Sequence, residues 1–292
     1  MLKEMQKNSF LFLLPLFIFM GVVKSYPLIY SIWLSFHEIE YKGETLTFQF
    51  SGLKNWIYAL QDIRMWEALQ RTLLFSGLVL SLCFFMSLAL ALLFYEGGRL
   101  TAWLEVLCII PWAIPAIANG LLWEWILDTN YGILNTLLMK LNIINTPIEW
   151  LNNPVMAMLS ISIAQIWKDM PFMTLLIFAA LHTVPLQLIE ASKIDGASYF
   201  QRLKNVIIPY IKTSLIVVIL LELINTFKVF DLVYALTYGG PYESTQVLSM
   251  YAYKQSFLYF NFGYGSTLCY ILAIIISLFS FVYLKILGGR LK

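Results

Sequence analysis

Residues 69–95 read LQRTLLFSGLVLSLCFFMSLALALLFY, and after Arg71 no charged side chain appears until Glu96. A helix needs about 20 mostly apolar residues to cross the hydrocarbon core of a bilayer, and this stretch is longer. Five more stretches of the same kind lie at 9–36, 102–127, 155–180, 211–235 and 264–287. Together they predict an all-α, polytopic membrane protein with six transmembrane helices. Composition agrees. Of 292 residues, 60% are hydrophobic and 12% charged, against about 25% charged in a soluble domain. So few charges cannot cover the outside of a water-soluble fold of this size. In a bilayer the surrounding solvent is lipid, and no such cover is needed.

The same composition excludes several functions. The net charge is +2 and there is no basic run, so nucleic acid is not an expected partner. Cys83, Cys108 and Cys269 all sit in apolar stretches and read as small packing residues, not metal ligands. His37 and His182, the only histidines, fall on opposite sides of the expected membrane. No cluster with nucleophile or metal spacing accompanies them, so the chain is not expected to be an enzyme. A phosphate loop of the form Gly-x4-Gly-Lys-Ser/Thr is absent. If the protein uses ATP, another chain must bind it, and no cofactor is expected here. The stretch 9–36 exceeds the apolar region of about 7–15 residues in a cleaved signal peptide and reads as a retained first span.

The connecting segments differ in character. Residues 37–68 read as a polar loop. Asn152-Asn153-Pro154 and Gly239-Gly240-Pro241 are turn signals within 128–154 and 236–263. Placing both termini inside puts Lys3, Lys7, Arg99, Lys193, Arg202, Lys204, Lys212, Lys285, Arg290 and Lys292 on the inner side. Lys42, Lys54, Arg64, Lys140 and Lys254 are then outside. Inner loops carry the excess of Lys and Arg, so both termini are expected in the cytoplasm.

Residues 181–209 read LHTVPLQLIEASKIDGASYFQRLKNVIIP. Thr183 and Pro185 suit the start of a short helix, and Asp195-Gly196 breaks it, because glycine permits positive φ. A second helical piece follows with Phe200, Leu203 and Val206 or Ile207 on one face. The expectation is a helix-turn-helix loop over 181–210 on the cytoplasmic face. Glu190-Ala191-Ser192, Gly196 and Val206-x-Ile208-Pro209 resemble the EAA motif of membrane subunits in binding-protein-dependent ABC importers. Ser192, Val206 and Ile208 depart from the usual Ala, Ile and Leu with little change in size. Trp167-Lys168-Asp169-Met170-Pro171, Tyr131-Gly132-Ile133-Leu134-Asn135, Thr237-Tyr238-Gly239-Gly240-Pro241, Phe262-Gly263-Tyr264-Gly265 and Gly52-Leu53-x-Asn55-Trp56 are similar to segments of carbohydrate importers of the maltose and glycerol-phosphate type.

That resemblance implies a single importer transmembrane domain over 1–292 in a bacterial or archaeal inner membrane. It implies a second permease subunit in a heterodimer, two ATPase subunits holding ATP and Mg, and an extracytoplasmic solute-binding protein. Glu190, Ala191, Ser192, Asp195 and Gly196 would form the ATPase-coupling element.

Polar residues interrupt the fourth and fifth stretches. Gln165, Lys168, Asp169 and Phe172 recur at i, i+3, i+4 and i+7, and so do Glu222, Asn225, Thr226 and Val229. On a helix each set shares one face, and ionisable groups inside spans usually face a cavity or a partner. These residues, with Trp112 beside Pro111 and Pro115, are the candidate substrate-binding set. Two structural pairings compete with that role: Lys168 with Glu222, and Lys228 with Asp231. Lys24 reads as a residue that snorkels or faces the partner subunit, and Glu124 as an interface anchor. Sugar import is the expected function, with glycerol phosphate or a self-contained secondary transporter as alternatives. An inverted repeat, expected in many secondary transporters, is not visible.

Overall fold

The computed structural model describes residues 13–42, 45–97 and 99–288. In chain order the main elements are α1 (Leu13–Ser35), β1 (His37–Lys42), β2 (Thr45–Phe50), α2 (Lys54–Gln61), α3 (Ile63–Glu96), α4 (Arg99–Cys108), α5 (Ile110–Ala113) and α6 (Ala116–Leu127). They continue with α7 (Ile133–Lys140), α8 (Pro154–Leu181), α9 (Leu186–Ile194), α10 (Tyr199–Arg202), α11 (Lys212–Phe227), α12 (Asp231–Leu236), α13 (Leu248–Tyr253) and α14 (Phe262–Gly288). Four of these, α1, α3, α8 and α14, are individually long and apolar enough to span a membrane. Counting each of two bent pairs as one span brings the number to six. The expected start of the first span at 9–12, and the terminal lysines and arginine used for orientation, lie outside the described residues.

The bends correct the sequence reading. The stretch 102–127 is two helical pieces that meet at 98°. Pro115 pushes the residue before it out of the helical region, and Ile114 is extended at φ −73°, ψ 129°. The stretch 211–235 is likewise not one rod. Helix α11 stops at Phe227, and α12 resumes at Asp231. At its other end α11 meets the segment Tyr199–Tyr210 at 72°. The polar loop 37–68 holds an antiparallel hairpin, paired from His37↔Phe50 to Lys42↔Thr45. Its signal was present in Thr45-Leu46-Thr47-Phe48-Gln49-Phe50, whose apolar side chains alternate with polar ones at strand period.

The chain forms two compact units. The first comprises Met1–Trp66 and Tyr251–Ile271. Within it Asn55 Nδ2 donates to the carbonyls of Ser35 and His37, both at 3.1 Å. Asp62 accepts from the phenols of Tyr251 at 2.6 Å and Tyr264 at 2.5 Å. Burial, followed by the bond to Asp62, holds the Tyr251 phenol above its ordinary pKa.

The second unit comprises Glu67–Met250 and Leu272–Lys292. Its apolar core gathers Cys83 and Ala91 of α3, Met173, Ile177 and Leu181 of α8, and Ile211, Leu215 and Val218 near and along α11. Cys83 is there as a packing residue, fully buried. Helices α6 and α12 also touch closely. A Cβ on Gly120 would stand 2.5 Å from the Ala235 Cβ. Gly120→Ala is therefore expected to destabilise the protein by about 1–3 kcal/mol, and adding Ala235→Gly to restore most of it. Thermal aggregation of the detergent-purified protein checks both variants.

Candidate functional site

The site is built where α8 and α11 lie side by side in the second unit. The α8 residues Gln165, Lys168, Asp169 and Phe172 share one face, as the spacing predicts. Asp169 is 4% exposed, and a buried carboxylate must be paired and hydrogen-bonded. Gln165 Nε2 donates to Asp169 Oδ2 from one turn earlier. Asn225 Nδ2 donates to the same oxygen from α11 at 3.2 Å. Lys168 Nζ lies 3.8 Å from Oδ1. Asp169 thus joins the two helices.

A cavity of about 310 Å³ opens beside this junction. Its polar lining is Asp169, Glu222, Asn225 and Lys228. Trp112 and Phe172 form an aromatic wall, stacked with ring centroids 4.8 Å apart and planes 8° from parallel. Apolar side chains from both helices complete it, among them Met173, Leu176, Val218 and Leu221. A second cavity of about 200 Å³ is lined by Gln165, Lys168, Asn225, Lys228, Val229 and Asp231, among others. Asn225 and Lys228 line both.

Several expectations need correcting. Lys168 is ion-paired with Asp169 and, among the described residues, not with Glu222. No ion pair joins Lys228 to Asp231; instead both line the smaller cavity. Thr226 is fully buried and its hydroxyl donates to the Leu223 carbonyl at 3.1 Å, so it lines neither cavity. Val229 lies beyond the end of α11 and reaches the smaller cavity from the break between helices. Lys228 was read as a local partner of Asp231, yet it reaches both cavities because that break turns the chain. The apolar wall was missed too, although Val218, Leu221, Glu222 and Asn225 repeat at i, i+3, i+4 and i+7.

Beyond α8 the chain forms a second candidate element. Helix α9 ends in a turn with Gly196 at φ +76°. The Gly196 N–H donates to the Lys193 carbonyl at 3.1 Å and the Ala197 N–H to the Ser192 carbonyl at 3.0 Å. This pair of bonds defines a Schellman ending, which wants glycine at the left-handed position. Ser198 and Gln201 then cap α10 reciprocally. Glu190, Ala191, Asp195 and Gly196 are exposed, whereas Ser192 is buried and donates to the Ile189 carbonyl at 2.7 Å. Phe200, expected on one face with Leu203, is 77% exposed, and Ile194 is 87% exposed. A π-helical turn spans Leu203–Ile207, and Ile207, one of the two alternatives named for that face, is buried.

Four unbroken and two bent apolar helices, with a cavity flanking an exposed two-helix loop, have close counterparts. A chain of a bacterial ABC transporter involved in the import of the acidic polysaccharide alginate matches with a TM-score of 0.85, covering 99% of both chains at 21% identity. That likeness concerns the fold. Residues 83–292 match the family described as binding-protein-dependent transport system inner membrane component. The chain belongs to this family. It is a multi-pass membrane protein. The trehalose/maltose transport system permease protein MalF of Thermococcus litoralis is 35% identical over 98% of this chain and 95% of its own. The sulfoquinovosyl glycerol transport system permease protein SmoG of Agrobacterium fabrum is 31% identical, over 96% and 90%. The lactose transport system permease protein LacF of Rhizobium radiobacter is 29% identical, over 94% and 92%.

In this inner membrane component, Asp169→Leu would strand the Gln165 and Asn225 donors and leave Lys168 unpaired. Breaking a buried pair from one side costs about 3–5 kcal/mol. The expected outcome is a marked fall in thermal midpoint for Asp169→Leu and a much smaller one for Asp169→Asn, both measured on the purified protein.

Proposed function

We propose that this chain is one membrane half of an ATP-driven sugar importer, with residues 1–292 as one transmembrane domain. The observation that carries this reading is the position of the cavity between α8 and α11, the two helices that flank the exposed loop 186–210. One apolar core includes Met173 and Val218 of the cavity wall and Val184 and Ile207 at the roots of the loop. A displacement of the loop is thereby transmitted to the cavity through packed side chains.

The cavity chemistry suits a saccharide. Aromatic walls accommodate the apolar faces of sugar rings, and amide and carboxyl groups hydrogen-bond hydroxyls. Trp112, Gln165, Lys168, Asp169, Phe172, Glu222 and Asn225 are assigned to ligand contact or to holding the contacts in place. Val229 borders the smaller cavity. Relatives named for trehalose/maltose and lactose transport support the sugar class.

The remaining parts come from other chains. A second permease completes the pathway as a heterodimer. Two ATPase subunits hold ATP and Mg and dock on α9, α10 and their counterpart, with Glu190 and Asp195 in polar contact and Ile194 and Phe200 in apolar contact. An extracytoplasmic solute-binding protein delivers the sugar. The loop and both termini face the cytoplasm of a bacterial or archaeal cell. ATP favours one arrangement of the two halves through its differential affinity, and so shifts the population between outward- and inward-open states.

Two measurements on the assembled importer in proteoliposomes test this. Gly196→Pro should abolish ATP-driven saccharide uptake, because proline cannot adopt φ +76°; intact assembly and uptake would sink the coupling role. Gln165→Leu and Asn225→Leu should each reduce uptake by about tenfold or more while the ATPase still co-purifies. Normal uptake by both would remove the cavity from the pathway.

A further inference from the structure

Lys24 lies in the middle of the first span. Helix α1 has 23 residues, of which Lys24 is the twelfth and the one with a charged side chain. At 1.5 Å per residue, both helix ends lie about 16 Å away. Half the hydrocarbon thickness of a bilayer is about 15 Å, whereas a lysine stem reaches only about 6 Å. Snorkelling therefore carries the ammonium less than halfway to either headgroup layer. A charge at that depth is costly unless a partner or a water-filled cavity receives it.

The chain itself does not receive it. Lys24 is exposed and, among the described residues, makes neither an ion pair nor a hydrogen bond. It lines neither cavity of the candidate site. Carbonyls close by are already served: the Ser25 hydroxyl donates to the Met20 carbonyl at 3.3 Å, and the Tyr26 N–H donates to the Gly21 carbonyl.

The rest of α1 makes no such demand. Its most apolar stretch buries no residue within the chain, and exposed side chains such as Val22, Val23 and Leu28 are well solvated by lipid. Lys24 alone is left unsatisfied there. The backbone also departs from the α-helix at this point, because Gly21–Ser25 is a π-helical turn. Such turns are rare and gather at functional positions. Gly21 and Ser25 are small and four residues apart, and open space surrounds Gly21. A neighbouring helix can therefore approach closely beside the lysine.

We infer that α1 docks, through Gly21, Lys24 and Ser25, on a membrane helix of the second permease that carries an Asp or Glu at mid-membrane depth. A carboxylate both balances the ammonium and accepts its N–H donors. A second copy of this chain meeting α1 face to face would set ammonium against ammonium, which like-charge repulsion opposes. The inference rests on the importer reading, which supplies the second permease. It adds one place where the two permeases meet and the charge that selects the contact.

The test uses the full importer in native membranes, with Lys24 intact and Leu28, one turn away and exposed, replaced by p-benzoylphenylalanine. Irradiation should join this chain to the second permease. The attachment, mapped by mass spectrometry, should fall within one helical turn, about 5 Å of rise, of a membrane-embedded Asp or Glu. Lys24→Glu should cut the second permease recovered with this tagged chain by about tenfold or more, whereas Lys24→Arg should retain it. Exchanging the mapped carboxylate for Lys should restore recovery in the Lys24→Glu variant. If Lys24→Glu does not accumulate in the membrane, the cross-link formed with Lys24 in place decides the matter. A cross-link to lipid alone, to a second copy of this chain, or to a partner helix without a carboxylate at that depth overturns the inference. Full recovery of the second permease with Lys24→Glu does so too. Failure of the importer reading would show separately, because no second permease would then co-purify with the unaltered chain.

Discussion

A carboxylate inside a membrane helix constrains everything around it. An Asp at the centre of a span costs about 2.5–3.5 kcal/mol on insertion scales, so Asp169 must be surrounded by donors. Gln165 and Lys168 come from its own helix; Asn225 must come from another. Meeting that need fixes the register of α11 against α8. Once the register is fixed, Trp112 and Phe172 close one wall of the cavity, and Glu222 is carried to its lining. The polar junction and the cavity are thus one construction, in which the groups that satisfy Asp169 also define what remains free to meet a ligand.

The loop beyond α8 follows a different logic. Its roots are apolar and packed, with Val184, Ile207 and Ile211 nearly inaccessible. Its tip is the reverse, with Ile194 and Phe200 standing out beside exposed Glu190 and Asp195. A surface that is apolar at its centre and charged at its rim is the composition of a docking site. The Schellman ending at Gly196 and the cap of Ser198 hold the two short helices at a defined angle. The tip can then act as a shaped body and not as a flexible strand.

Much of this could be read from the sequence, and the misses have physical reasons. The long spans α3, α8 and α14 follow from apolar runs of helix length, and α8 continues through Pro171. Gln165 and Asp169 lie on one face because helical spacing alone decides it. The helix-turn-helix outline follows from Gly196 for a similar reason: a left-handed residue has few alternatives to glycine. The breaks in the third and fifth spans were harder to place. Hydropathy sums over a window and does not register direction, so a 98° bend leaves it unchanged. Thr226 was misassigned because its spacing fits the polar face, whereas its hydroxyl is satisfied within its own turn at Leu223. Helical period left Val206 and Ile207 as alternatives on the face of Phe200 and Leu203, and the π turn that follows α10 alters the count between them. The hairpin β1–β2 carries its alternation over only six residues in each strand, in a segment whose charge suggests an open loop.

The contact at Gly120 has a mechanical consequence. With no side chain there, the backbone of α6 rests directly against Ala235 of α12. Two rods in such contact cannot slip along one another without first lifting apart, so α6 and α12 behave as a single splint. The chain on either side of the splint is not so constrained. At 228–230 the backbone leaves the α-helix, and at Ile114 and Pro115 it is extended. Any swing of the outer helical pieces therefore concentrates its torsion in those two short joints, the first of which carries Lys228 on the edge of both cavities.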